Sequence, residues 1–335
     1  MFLPAVSKSI TMPGNTRRRS ALAALGLLFL AACGESGIGN PKTARNAEVS
    51  GACITVSILP QNYFVGRIAG ERVRIMTLTG PGQNPHDYEP GPRQMAALAR
   101  SGAWILSGAE FEISLRPKIE ALFPDLIIVD GTAGVHFRML EEHDDHDGHG
   151  DDELDEPGRD RHTWLGSEGA KIMAGHLLET LIALDESAVA CTENPAAGRT
   201  GGNRAFYTAN YDALIRDIDG EFERLRDELA PLRGSVVFVY HPAFGYFLDE
   251  FGITQAAVEN GGKEPTPRFL ARLIGEAKRE KPAAIFVQAQ FPLEAARTVA
   301  RAAGAALIPL DPLAPDWLEN IREMGRALER AGRFP

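Results

Sequence analysis

Short apolar runs alternate with longer amphipathic segments along most of the chain after residue 52. This alternation is typical of βαβ units, in which a helix connects two parallel strands. Strands are predicted at 54–59, 73–79, 104–107 and 126–129 in the first half, and at 236–240, 284–287 and 306–310 in the second. Helices are predicted at 62–69, 93–101, 112–122, 267–280, 293–303 and 316–330. The pattern therefore predicts an α/β protein with two lobes, each built on a doubly wound parallel sheet.

Two longer amphipathic segments separate the two sets of strands. Residues 167–184 carry apolar side chains near helical spacing, and residues 204–230 contain no internal Pro. At 1.5 Å per residue the second segment would reach about 40 Å, which is more than one small lobe requires. We therefore expect it to run along both lobes as a rigid helix. The predicted domains are an N-terminal lobe at 52–203, a linking helix at 204–231 and a C-terminal lobe at 232–335.

The N-terminal region has the pattern of an export signal. Three arginines at 17–19 precede an apolar run at 21–32, which is too short to span a bilayer. We therefore predict a signal peptide at 1–32. Its last residues precede Cys33 in the order Leu-Ala-Ala-Cys, which resembles the bacterial lipobox. Cys33 is thus expected to be the first mature residue and to carry lipid on its thiol, and residues 33–51 are expected to form a flexible tether.

Two points in the sequence allow more than one interpretation. Translation could start at Met1 or at Met12, because the residues before Met12 add nothing to the export signal. Cys53 and Cys191 would lie in a compartment that permits disulfides, so they could pair. The alternative is that both are small buried side chains.

The charge of the chain is concentrated in one stretch. The chain has 35 Lys and Arg against 45 Asp and Glu, a formal net charge of −10. Residues 141–156 read EEHDDHDGHGDDELDE and contain no Lys or Arg, so the rest of the chain is close to neutral. A nucleic-acid surface requires clustered Lys and Arg. The charge pattern therefore argues against a nucleic-acid partner.

This acidic stretch also contains three histidines, His143, His146 and His149. Such a polar run buries too little apolar surface to offset the entropy of ordering it, so a solvated loop is predicted, within a His-rich region at 136–161. Imidazole nitrogen and carboxylate oxygen are ligands for divalent metals, so the three histidines are candidate accessory ligands. The alternative is a solvated charge run with incidental histidines.

Four other residues lie where strands or loops end. His241 and Asp311 directly follow predicted strands, and His86 lies in the loop after a third. The carboxyl ends of parallel strands border the crevice where α/β proteins bind ligands, and His162 leaves the acidic loop close to the same position. Three imidazoles and one carboxylate suit zinc. Taken singly, each His is more often a hydrogen-bonding residue, and Asp311 could cap the following turn.

Six stretches carry a resemblance to a known family. They occur in the order NPHDYEPGPRQMAAL, RHTWLG, VYHPAFGYF, GKEP, IFVQAQF and LDPLAPDW. The chain from about residue 53 to 328 resembles the solute-binding lipoproteins of bacterial zinc ABC importers, in which one rigid helix joins two lobes. The resemblance implies a metal site in the cleft between the lobes, with ligands at His86, His162 and His241 and Asp311 in the fourth position.

The resemblance also implies the chain's partners and location. It implies an extracytoplasmic, lipid-anchored monomer, periplasmic or on the cell surface, that captures Zn²⁺ and delivers it to an ABC permease and its ATPase. Two positions depart from the family pattern: Arg161 stands where relatives usually have Pro, and Gly166 replaces a common Ser or Asp. A third imidazole favours Zn²⁺ over Mn²⁺, which prefers oxygen ligands.

The sequence allows three alternative functions. A manganese- or iron-binding member of the same group is the first alternative. A zinc-dependent hydrolase is the second, but the sequence has no HExxH, GxSxG or phosphate-binding GK[ST] motif, so we expect no enzyme activity. An adhesin or surface scaffold is the third.

Overall fold

A computed structural model describes residues 53–140, 158–190, 202–259, 265–282, 284–291 and 293–332. The predicted signal peptide, tether and lipidated Cys33 lie outside these residues, as do Cys191 and the three histidines of the acidic stretch. No helix in the described part of the chain combines the length and the apolar character needed to cross a membrane.

The first half of the chain forms a four-stranded parallel sheet with the strand order β2-β1-β3-β4. Its strands are β1 (Cys53–Val56), β2 (Arg74–Thr77), β3 (Ala103–Leu106) and β4 (Ile127–Asp130), connected by α1 (Leu59–Ala69), α2 (Pro92–Leu98) and α3 (Glu110–Leu122). All four residues of β3 are buried, as expected for an apolar strand in the interior of a parallel sheet. β1 is shorter than predicted because the Gln61 side chain accepts hydrogen bonds from the backbone N–H groups of Ser57 and Ile58.

The second half forms a parallel sheet of the same kind, with the order β6-β5-β7-β8. Its strands are β5 (Val236–Val239), β6 (Thr254–Ala257), β7 (Ala284–Val287) and β8 (Ala306–Pro309), and its helices are α6 (Gly245–Asp249), α7 (Pro267–Glu280), α8 (Glu294–Ala303) and α9 (Trp317–Gly332). The predicted class, two parallel-sheet α/β lobes, is therefore confirmed. The sequence-based interpretation missed α6 and β6.

In sequence order, two long helices follow the first sheet and precede the second: α4 (Ser167–Ala190) and α5 (Arg204–Glu228). The 25 residues of α5 reach about 38 Å at 1.5 Å per residue. One end of α5 contacts the first lobe, where Asn210 Nδ2 donates to Ile68 O over 3.0 Å. Nearer its other end, Glu221 accepts a 2.9 Å hydrogen bond from Arg322 of α9. The helix thus contacts both lobes, whereas the exact domain boundaries remain a prediction.

A tryptophan pair joins the lobes through a shared core. Trp317 is fully buried, and its ring centroid lies 5.0 Å from that of Phe64 in the first lobe and 6.4 Å from that of Phe222 on α5. Its Nε1 donates to Trp164 O over 2.7 Å, while Trp164 Nε1 donates to Pro312 O over 2.9 Å. The two indoles thus bond across the lobes in both directions and connect the lobes beside α5.

Candidate metal centre

Three histidines from distant parts of the chain meet between the lobes. The Nε2 atom of His241 lies 2.9 Å from that of His86 and 3.3 Å from that of His162. Tetrahedral zinc with bonds of about 2.0–2.1 Å holds its nitrogen ligands about 3.4 Å apart, so the spacing fits one ion. The structure therefore brings together the three histidines that the sequence predicted as ligands.

Each histidine has a carboxylate at its other ring nitrogen. The Nδ1 atoms of His86, His162 and His241 lie 3.1, 2.9 and 2.7 Å from oxygens of Glu110, Asp160 and Glu259, respectively. A carboxylate at Nδ1 favours the tautomer that carries its proton there, which leaves the Nε2 lone pair unprotonated. In that tautomer the three Nε2 atoms, which lie within 4.8 Å of one another, can all donate a lone pair to one cation.

The electrostatics of the site differ from one histidine to the next. Burial lowers the pKa of the His241 imidazole well below its usual value, and the neighbouring His162 and His86 lower it further, so this ring is held neutral. Burial favours the protonated form of Glu110, but a hydrogen bond with His86 and the charges of His86 and His162 bring its pKa to about 2. Burial likewise favours neutral His86, yet its bond and charge interaction with Glu110 leave its pKa raised.

The cavity at the histidines is small. Its volume is about 20 Å³, and besides the three rings it is lined by Glu110, Gln290 and Phe291. A cavity of about 10–15 Å³ already holds one water molecule, so this space suits a single ion. The Phe291 ring stacks on His241 with a centroid distance of 4.6 Å, which helps to fix that imidazole.

The fourth predicted ligand, Asp311, lies outside the three-histidine group. It follows β8 as expected, but its Oδ1 accepts hydrogen bonds from Gln290 Nε2 over 3.0 Å and from the backbone N–H of Leu313 over 2.9 Å. Gln290 and Leu313 both line the cavity, whereas Asp311 does not. The role of Asp311 as a ligand therefore remains a prediction.

Comparison with known proteins decides the family. The chain matches the model of the zinc-uptake complex component A, described as periplasmic, over residues 54–331. The chain belongs to this family.

Individual relatives agree with this assignment. The chain is 25% identical over 297 residues to the zinc-binding lipoprotein AdcA of Streptococcus pneumoniae, covering 87% of this chain but 54% of AdcA. The chain thus spans about half the length of that relative. It is 22% identical to the manganese-binding lipoprotein MntA of Halalkalibacterium halodurans over 257 residues, 76% of each chain. A crystal structure of ZnuA matches with 29% identity and a TM-score of 0.72, covering 84% of this chain and 99% of that chain.

From the sequence, no role was assigned to the three carboxylates that lie at Nδ1 of the histidines. Glu110 is the first residue of the helix that follows β3, and Glu259 lies two residues after β6. Both thus occupy the same sheet edges as the predicted ligands. The rule could have found Glu110, which follows a predicted strand, but not Glu259, because β6 was not predicted. Asp160 precedes His162 by two residues and also accepts a hydrogen bond from its backbone N–H. The closeness of Asp160 to His162 could therefore have been found from their spacing in the sequence.

The two departures from the family pattern also lie at the site. Arg161 donates from Nη1 to Gly108 O over 3.1 Å, and its Nε lies 3.8 Å from Glu110. Gly166 packs against α6, where an added Cβ would come within 3.1 Å of Tyr246 Cβ. A larger residue at this position would require Tyr246 to move.

We predict that Glu259→Gln weakens zinc binding by about 10–100-fold, the range typical for removal of a carboxylate behind a metal-bound histidine. The Glu259 side chain is 2% exposed and contacts His241, so glutamine keeps the shape but removes the charge that raises the basicity of the ring. Competition with a chromophoric chelator measures the dissociation constant. Glu221→Gln is the matched control, because Glu221 is also buried but bonds Arg322 on α9. Equal affinities of Glu259→Gln and the wild type would contradict this role.

Proposed function

We propose that the chain is the extracytoplasmic solute-binding component of a zinc ABC importer, which captures Zn²⁺ and passes it to a membrane permease with its ATPase. The convergence of three Nε2 atoms, each backed by a carboxylate at Nδ1, carries this proposal. Three imidazoles favour Zn²⁺ over Mn²⁺, so the resemblance to a manganese-binding lipoprotein does not change the choice of metal.

We assign the metal ligands to His86, His162, His241 and Asp311. The assignment of Asp311 requires its carboxylate to come closer to the histidines, since in the structure Asp311 Oδ1 accepts hydrogen bonds from Gln290 and Leu313 and lies outside the three-histidine group. Such a movement fits a two-lobed binding protein, in which the ligand draws the lobes together. Titration of the metal-free protein with zinc should show one tight equivalent, and with manganese a much weaker one. Equal or tighter binding of manganese would overturn the choice of metal.

We also propose that zinc is cargo and that the protein is not an enzyme. The chain matches a zinc-uptake family, and its sequence has no HExxH, GxSxG or phosphate-binding GK[ST] motif. The zinc-loaded protein should therefore show no turnover of ester, peptide or phosphate substrates. The proposed location is periplasmic or at the cell surface, with a monomer anchored by lipid at Cys33, in keeping with relatives that are named lipoproteins.

The acidic stretch at 141–156 is proposed to collect zinc near the cleft. Its three histidines, His143, His146 and His149, offer additional weak ligands, but a preorganised site holds metal more tightly than a segment that must be ordered on binding. We predict that deleting 141–156 removes the weak equivalents of zinc and leaves the tight one unchanged. Calorimetry on both proteins measures the two classes of site. Loss of the tight site after the deletion would show instead that the stretch carries the function.

A further inference from the structure

The base of the acidic stretch is tied to the opposite lobe. Residues before and after it form a short antiparallel contact, in which Asp160 N donates to Arg138 O over 2.8 Å. Tyr246 of α6 connects the two sides, because its hydroxyl accepts from Arg138 N over 2.9 Å and donates to Asp160 O over 3.0 Å. The base of the stretch is therefore held by a helix of the C-terminal lobe.

The Arg138 side chain extends the same connection to the metal site. Its Nη1 donates to Asp160 Oδ2 over 3.1 Å, and its Nε donates to Asp249 Oδ2 over 2.6 Å. The other oxygen of Asp160 lies 2.9 Å from Nδ1 of His162. A planar guanidinium that bonds two carboxylates fixes the direction of both, which an ammonium group would not do.

We propose that Arg138 is an interlobe latch: a positioning residue that orients His162 through Asp160 only while it is bonded to Asp249 and Tyr246 of the other lobe. This proposal rests on the proposed function of the three histidines as the zinc site. It links the strength of zinc binding to lobe contact. Separation of the lobes breaks the bonds of Arg138 to α6, loosens Asp160 and lets zinc leave faster.

The exposure of Asp249 and the burial of Asp160 indicate that loss of the latch changes the metal site more than the overall stability. The Asp249 side chain is 54% exposed, so its ion pair with Arg138 contributes little by itself. Asp160 is completely buried, so the direction of its carboxylate depends on the partners that the fold provides. Loss of the latch should therefore alter the geometry at His162 more than the free energy of unfolding.

Gly245, the first residue of α6, provides a test in which none of the latch residues is itself substituted. A Cβ added at Gly245 would overlap the Arg138 guanidinium, the far end of a flexible side chain. Gly245→Ala should thus displace Arg138 from Asp160 and Asp249. Gly220→Ala is the matched control, because a Cβ at this helical glycine meets nothing within 4 Å.

The experiment measures zinc dissociation into excess chelator for Arg138→Met, Gly245→Ala and the double variant. We expect dissociation about 10-fold faster in each single variant and no further increase in the double variant, because both changes remove the same contact. The visible spectrum of bound Co²⁺ should change in the same variants and stay unchanged in Gly220→Ala. A wild-type dissociation rate in Gly245→Ala, or additive effects in the double variant, would overturn the latch.

Hydrogen exchange of the metal-free protein tests for the latch contacts in the absence of zinc. Peptides covering 137–140 and 158–162 should exchange faster in Arg138→Met and Gly245→Ala than in the wild type. Unchanged exchange in both variants would contradict the latch even if zinc binds tightly. Failure of the wild type to bind zinc would instead contradict the proposed function, while the exchange measurement still decides whether the latch exists.

Discussion

Replacing His241 with alanine should weaken zinc binding by about 100–1,000-fold, which corresponds to about 3–4 kcal/mol. His241 lies at the centre of the three-histidine group, since its Nε2 lies within 3.3 Å of the corresponding atoms of both other histidines. The substitution also leaves Glu259 buried without the imidazole it bonds in the structure at 2.7 Å. The remaining two histidines form an incomplete site, which exchanges zinc readily with a chelator.

The measurement is a chelator competition on the metal-free protein lacking 141–156, so that the accessory histidines do not contribute. His136→Ala is the matched control, because His136 is exposed and lies outside the three-histidine group. The control should keep the wild-type affinity. If His241→Ala also kept it, the zinc would have to be bound elsewhere.

The second large effect concerns stability: Trp317→Ala should lower the free energy of unfolding by about 3–5 kcal/mol. Trp317 is fully buried against Phe64 and Phe222, and its Nε1 bonds Trp164 O. Alanine would leave a cavity where the two lobes and α5 meet. The loss should therefore affect the cooperative unfolding of both lobes together.

Urea unfolding of the metal-free protein measures this change in free energy. Leu122→Ala is a suitable control, since Leu122 is 61% exposed and its truncation should cost no more than about 0.5 kcal/mol. A loss below about 1 kcal/mol for Trp317→Ala would mean that the tryptophan pair does not join the lobes.

The fold could be predicted where the hydrophobic pattern is strong and not where elements are short. β3 and β7 are continuous apolar strands, AWIL and AIFV, and both are fully buried. β6 reads TQAA, without an apolar run, and α6 has five residues, too few to show a helical period. These two elements are held by tertiary contacts, which the local pattern does not contain.

The candidate metal centre could also be predicted only in part from the sequence. The rule that ligands collect at the carboxyl ends of parallel strands placed His86 and His241 near each other, and the structure confirms that closeness. The same rule selected Asp311, but it predicts a position along the chain and not the direction of a side chain. In the structure Asp311 Oδ1 accepts hydrogen bonds from Gln290 and Leu313, and Asp311 is not part of the three-histidine group. The latch could not be predicted at all, because Arg138 and Asp249 lie 111 positions apart and share no motif.

X-ray absorption at the zinc edge tests the central claim most directly. The protein lacking 141–156 should be loaded with one equivalent of zinc, so that the tight site alone is measured. We predict three imidazole nitrogens at about 2.0–2.1 Å and one oxygen ligand, with no sulfur. A zinc ion with two or fewer imidazole ligands, or with a sulfur ligand, would contradict the three-histidine site.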